Sequence, residues 1–280
     1  MFSDEEYLDS RQFPPFHKII LGLSGANLAQ QLDLTADRID ARDADGRTAL
    51  SWAAARGDND AVSQLLRAKA DPNIAGHDRR TPLHWAAQSG NSQTLEILLR
   101  YNANISLRDQ WKRTPLQYAA CNHNDARYLE ILIAHGADVN VQDCHDRTAL
   151  GYASKHNHYD SVQCLLQNDA DPTIADNWGF SPLFEAAKST HHETLRHLVK
   201  YPIRHAEQTI QNQSLLHLVA AQGDRETVDI LNASNLRRLD CSQRDHKGYT
   251  PVDLLQMRRV KPPELVEFFE SLSATSMEHT

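Results

Sequence analysis

Cysteine is scarce in this chain: Cys121, Cys144, Cys164 and Cys241 are the only four, and none forms a CxxC pair. That argues against a disulfide-stapled scaffold and against the thiolate zinc sites such pairs build. There is no run of about 18 apolar residues of the kind that spans a membrane. The longest early apolar stretch, Ile19 to Leu23, is too short for a secretion signal. A soluble, reduced, intracellular protein is therefore expected, cytoplasmic or nuclear, with no membrane partner. Phosphate loops, GxSxG elbows and HExxH helices are also missing, so no catalytic residue, metal or cofactor is expected. Charge of one sign is lacking as well. The net −8 comes from Asp4, Glu5, Glu6 and Asp9 at one end and Glu264, Glu267, Glu270 and Glu278 at the other, which leaves residues 10 to 263 formally neutral. A nucleic-acid binder, which usually carries a basic domain, is disfavoured.

What the chain does have is a repeated phrase. Thr81 to Ala87 reads TPLHWAA and Thr114 to Ala120 reads TPLQYAA; weaker copies start at Pro14, Thr48, Thr148, Ser181, Ser214 and Thr250. From Pro14 onward the intervals are 34, 33, 33, 34, 33, 33 and 36 residues. Chance cannot hold that period along a whole chain, and the period sets the organisation before any local reading does.

Each copy has the same inner order. The phrase predicts a short helix, then a turn residue suited to the left-handed region (Gly57, Gly90, Asn157 or Gly223), then a cap candidate (Asp58, Asn91, Asn124 or Asp224). A second helix follows, marked by the apolar pairs Leu65-Leu66, Leu98-Leu99, Leu132-Ile133, Leu165-Leu166 and Leu198-Val199. The unit closes on a turn such as Gly136-Ala137-Asp138 and a polar loop leading to the next Thr.

This pattern resembles the ankyrin repeat, whose period and T-P-L-H-x-A phrase it shares over about residues 14 to 273. The resemblance implies an all-α solenoid of stacked helix-turn-helix units with projecting β-hairpin fingers, about six full repeats between two capping units. It also implies a non-enzymatic interaction module or scaffold that holds a partner protein in its concave face. On this reading 1–13 is a mobile acidic tail, 14–273 a single domain with units near 14, 48, 81, 114, 148, 181, 214 and 250, and 274–280 a second tail. The irregular stretches are 201–213 and 233–248.

Several residue sets invite a chemical reading. His123, His156, His158, His191 and His192 cluster near inter-helix turns, but equivalent turns of stacked repeats lie roughly 10 Å apart, too far for one ion. His84 and His217 occupy the His of TPLH and are expected to be hydrogen-bonded scaffold. Trp52, Trp85, Tyr118 and Tyr152 share one register position, where core packing is expected over a stacking platform for bases. The residues just before each Thr are the fingertip positions that the family uses to touch partners. They read Arg47, Arg80, Arg113, Arg147, Phe180, Gln213 and Tyr249, and the first five are joined by Trp111, His145 and Trp178, two residues before Arg113, Arg147 and Phe180. Arg and Trp often carry interface energy. These eight residues, the five and the three, are the candidate partner-binding set, and the partner is expected to present an acidic or phosphorylated segment. A self-paired solvated ladder, neutralised by Asp45, Asp78, Asp109, Asp143 and Asp146, is the competing account. If the arginines stand outside the inter-repeat core, their removal should leave the fold intact. The chain is expected to be monomeric alone. Two other functions stay open: a targeting segment of a larger effector, and a binder of an anionic small molecule or nucleic acid.

Overall fold

The computed structural model describes residues 13–35, 38–201, 208–234 and 239–277. The chain divides into two compact units, Met1–Cys144 and His145–Thr280. The first holds α1 (Pro15–Ile20), α2 (Leu28–Thr35), α3 (Ala49–Arg56), α4 (Asn59–Arg67), α5 (Pro82–Ser89), α6 (Ser92–Arg100), α7 (Pro115–Asn122) and α8 (Arg127–Ala134). The second holds α9 (Ala149–Lys155), α10 (Tyr159–Gln167), α11 (Pro182–Lys188), α12 (His192–Leu198), α13 (Leu215–Gln222), α14 (Arg225–Ala233), α15 (Pro251–Met257) and α16 (Pro263–Met277). No helix among the described residues is long and apolar enough to cross a membrane.

The repeated phrase starts each first helix for a visible reason. Thr48, Thr114, Thr148 and Thr250 accept the N–H three residues on, and Ser181 does the same. In α5, α7, α11 and α15 proline takes the first helical position, where an N–H would have no partner. Leu50, Leu83 and Leu116 then sit in the core with the alanine pairs 53-54, 86-87 and 119-120. The small alanines let α3, α5 and α7 stack directly, and α4, α6 and α8 stack behind them. In the second unit α9, α11, α13 and α15 form one layer and α10, α12, α14 and α16 the other. Each buried leucine contributes on the order of 2 kcal/mol.

The turn between paired helices shows where the sequence pattern holds and where it slips. Gly57, Gly90 and Asn157 adopt φ of 66°, 71° and 57°. Asp58, Asn91 and Asp224 cap the second helix by accepting the N–H of Ala61, Thr94 and Thr227. Asn124 does not; its repeat is one residue longer, so α8 starts at Arg127, whose N–H goes to Asp125 Oδ1. Gly223 departs too, at φ −57°, with its carbonyl turned to the Arg258 guanidinium at 2.8 Å. At Gly90 a Cβ would lie 2.6 Å from His123 Cε1. That ring supports the end of α5, with Nε2 3.1 Å from the carbonyls of Ala87 and Gln88. Gly90→Ala is expected to lose about 2 kcal/mol of unfolding free energy in urea titration, from left-handed strain plus displacement of His123. Unchanged stability would mean that this contact carries no weight.

The loops between repeats are tighter than β-hairpins. Asp43, Gly76 and Asp109 in the first unit, and Asp176, Thr209 and Asp245 in the second, donate their N–H to the carbonyl four residues on, at 2.9–3.0 Å, closing five-residue fingers. Among the described residues the one β-bridge is Arg42 with Thr48. A side chain replaces the ladder. Asp43 Oδ1 accepts the N–H of Asp45 and Arg47, Asp109 that of Trp111 and Arg113, and Asp176 that of Trp178 and Phe180.

Phe13, assigned to the N-terminal tail, is 6% exposed and sets its ring edge-on to Trp52. Helix α16 continues to Met277, into the segment taken as the C-terminal tail. Residues 1–12 and 278–280 lie outside the described residues, as do 202–207 and 235–238 of the irregular stretches.

Candidate partner-binding face

Arg47, Arg80 and Arg113 come together in the first unit, each guanidinium placed by a finger over the aromatic residue of a first helix. Arg47 lies 5.1 Å from the ring centre of Trp52 and 4.3 Å from that of Trp85. Arg80 lies 4.8 Å from Trp85 and 4.7 Å from Tyr118. Arg113 covers Tyr118 at 4.4 Å and Trp111 at 4.5 Å. Cation and ring therefore alternate along the unit, an arrangement favoured by the negative face of the aromatic ring.

Carboxylates close the ladder from below. Asp109 is 0% exposed. Its Oδ2 accepts the Tyr118 hydroxyl at 2.8 Å and lies 3.1 Å from Arg113 and 4.0 Å from Arg80. Asp78 sits 3.6 Å from Arg80 and 3.9 Å from Arg47. Asp43 accepts the Trp52 indole N–H at 2.8 Å. Burial and the Asp109 carboxylate raise the Tyr118 phenol above its usual range, so it stays a neutral donor.

The second unit carries a shorter version. Arg147 stands 4.9 Å from the Trp178 ring and 3.4 Å from Asp176. His145 packs on Trp178 with ring centres 5.2 Å apart. Phe180 takes the Lys188 ammonium over its face at 4.2 Å.

The arginine side chains are thus not free fingertips. Their exposures are 22% for Arg47, 14% for Arg80, 22% for Arg113 and 21% for Arg147. Each guanidinium packs on first-helix aromatics, so the arginines lie closer to the core than the expectation for their removal supposed. Tyr118 and Tyr152 are buried, at 4% and 7%. What reaches solvent is Trp111 at 39% and Trp178 at 37%.

The histidines divide by role. In the TPLH position, His84 Nδ1 accepts the Thr81 N–H at 3.2 Å, which leaves Nε2 as the donor to the Arg113 carbonyl at 3.1 Å. His217 repeats this between Ser214 and Tyr249. His17 Nε2 meets the Arg47 carbonyl at 2.8 Å. Each ring ties a first helix to the next finger. His191 Nδ1 meets the Ser154 carbonyl at 3.0 Å, and His192 lies between Asp224 and Glu226. Among the described residues no three His, Cys, Asp or Glu side chains converge as metal ligands. Of the cysteines, Cys164 and Cys241 are buried, Cys144 is exposed, and no disulfide forms.

The sequence reading missed Asp43 and Asp176 as the carboxylates that shape the fingers. Their signal was present: an Asp four residues before the fingertip Arg or Phe recurs at 43, 109, 143 and 176.

A family profile described as ankyrin repeats matches residues 18–109 and 101–176. The chain belongs to the ankyrin-repeat family. Its fold is also that of the human ASB11 ankyrin repeat domain, known from a crystal structure, with a TM-score of 0.70 at 21% identity. That similarity covers 79% of this chain and 98% of the other. A comparison with curated proteins finds no match. Ankyrin repeats are generally protein–protein interaction modules, and their fold is typically non-enzymatic.

Proposed function

We propose that this ankyrin-repeat chain is a non-enzymatic binding module that holds another protein through the fingers and first helices of its units. The observation that carries the reading is the exposure of Trp111 and Trp178 on fingers whose neighbouring side chains are already held in place. A large aromatic group on a fixed support loses little freedom on binding, which is what makes such residues interface hot spots. In this reading Arg47, Arg80, Arg113, Arg147, His145 and Phe180 act mainly as the support, and the tryptophans make the apolar contact.

Affinity capture from native extract tests this, with the wild-type chain beside a Trp111→Ala/Trp178→Ala variant. Each tryptophan is expected to contribute about 2 kcal/mol to binding, so the doubly substituted chain should retain almost none of the partner. Its urea unfolding should shift by only about 1 kcal/mol, the value of a partly exposed cation–aromatic contact. Capture of the same partner at the same yield by the variant would move the binding face elsewhere.

A further inference from the structure

In the five-residue fingers the fourth position is left-handed. In the first unit it is Gly46, Arg79 and Lys112, with φ of 74°, 62° and 60°. In the second it is Asp146, Gly179, Asn212 and Gly248, with φ of 59°, 82°, 55° and 83°. Gly, Asn and Asp are the residues that tolerate this region best, so five of these seven fingers follow the local physics. Two do not. Arg79 and Lys112 occupy adjacent fingers, joined by the Gln110 N–H to the Asp78 carbonyl at 3.0 Å. The third finger is braced further by Arg108, whose Nε donates to the Lys112 carbonyl at 2.7 Å.

Both side chains are exposed. Among the described residues neither makes a hydrogen bond or an ion pair, unlike Arg80 and Arg113 beside them. The carboxylates of the same fingers are directed inward, Asp109 fully and Asp78 toward Arg47 and Arg80. Two positive charges therefore stand exposed at neighbouring tips, and Lys112 directly follows the exposed Trp111 in the chain. The fingers hold both residues in the left-handed region through the backbone, Arg79 N–H on the Gly76 carbonyl at 2.9 Å and Lys112 N–H on the Asp109 carbonyl at 3.0 Å, while their side chains make no polar contact among the described residues; a left-handed residue whose side chain the fold does not use points to a function.

We propose that the tips of these two fingers dock a carboxylate-rich, extended segment of a partner protein, with Arg79 and Lys112 receiving the acids and Trp111 lying between them. This rests on the reading of the chain as a protein-binding module and gives its partner a chemistry. Stacked repeats place successive tips about 10 Å apart, and three residues of a segment in polyproline II geometry rise about 9 Å and bring the side chain back to the same face. The segment should then carry acidic residues three positions apart. One cation per tip suits single carboxylates; a phosphate dianion calls for several donors converging on one point.

The test is selection of short unmodified peptides from a random display library on the full chain, followed by titration of an enriched peptide against wild type and Arg79→Gly/Lys112→Gly. Glycine already fills this position in three other fingers, so the variant should fold, with a melting temperature no lower than wild type. Enriched peptides should carry Asp or Glu three residues apart, lose roughly tenfold in affinity for the variant, and weaken as salt rises. Peptides without acidic bias, equal affinity for the variant, or no enriched peptide at all would each overturn the proposal. Peptides that bind the glycine variant normally but fail on Trp111→Ala/Trp178→Ala would do so while leaving the protein-binding reading intact.

Discussion

Replacing Asp109 by alanine should destabilise the first unit by about 3–5 kcal/mol, the usual cost of breaking a buried charge cluster from one side. Four groups depend on this fully buried carboxylate: the N–H of Trp111 and of Arg113, the Tyr118 hydroxyl, and the Arg113 guanidinium. Without it the finger loses its internal acceptor, Arg113 loses the carboxylate 3.1 Å from its guanidinium, and Arg80 is left with Asp78. Asp109→Asn should recover part of the loss, since an amide oxygen still accepts the two backbone N–H groups but carries no charge. Asp78→Ala is the control. Its side chain is 21% exposed and its ion pairs are long, so about 1 kcal/mol is expected. Urea unfolding of the three variants measures the order. Equal losses for Asp78→Ala and Asp109→Ala would show that burial does not decide the strength of the ladder.

The second large effect is one of pH. His84 is 0% exposed, and burial lowers its pKa to about 4 from the ordinary 6.5. The folded chain keeps the ring neutral, because Nδ1 must accept from Thr81 while Nε2 donates to Arg113. The unfolded chain takes up a proton below its own pKa. Between pH 6.5 and 4 the unfolded state thus binds more protons, and stability falls as the pH falls. The contribution is complete above about pH 6.5, and about 3 kcal/mol is lost by about pH 4. His17, lowered by burial as well, adds in the same direction. Gln117 fills the equivalent place one repeat later, its Oε1 accepting the Thr114 N–H and its Nε2 donating to the Val141 carbonyl. His84→Gln should therefore cost little at neutral pH and flatten the acid slope. Unfolding free energies at pH 7 and pH 4.5 give both quantities. An unchanged slope in His84→Gln would mean that other groups carry the acid sensitivity.

These expectations show how far the sequence alone could be read. The repeat period, the helix starts at Thr or Ser with Pro, the alanine pairs and the leucines of the second helices were all legible, because each depends on residue type at short range. The scaffold role of His84 was legible for the same reason, since its partner Thr81 is three residues away. Asn124 was misread as a cap because one added residue shifts the start of α8, and spacing rules cannot say on which side of an insertion a helix resumes.

The arginine positions were legible, but their state was not. Sequence placed Arg47, Arg80 and Arg113 at one register position and left open whether they face a partner or pair among themselves. Only the stacking of one repeat on the next puts Arg47 on Trp85 and Arg80 on Tyr118, contacts between residues more than thirty positions apart. The same stacking decides which finger residues remain outward. Trp111 and Lys112 stay exposed where Asp109, two and three positions earlier, is buried completely, because in a five-residue turn the first side chain folds back onto its own amides while the tip projects away from them. Short-range spacing thus determined the units and their start and stop residues, while burial and charge pairing, which depend on neighbours distant in the chain, were decided by the tertiary structure alone.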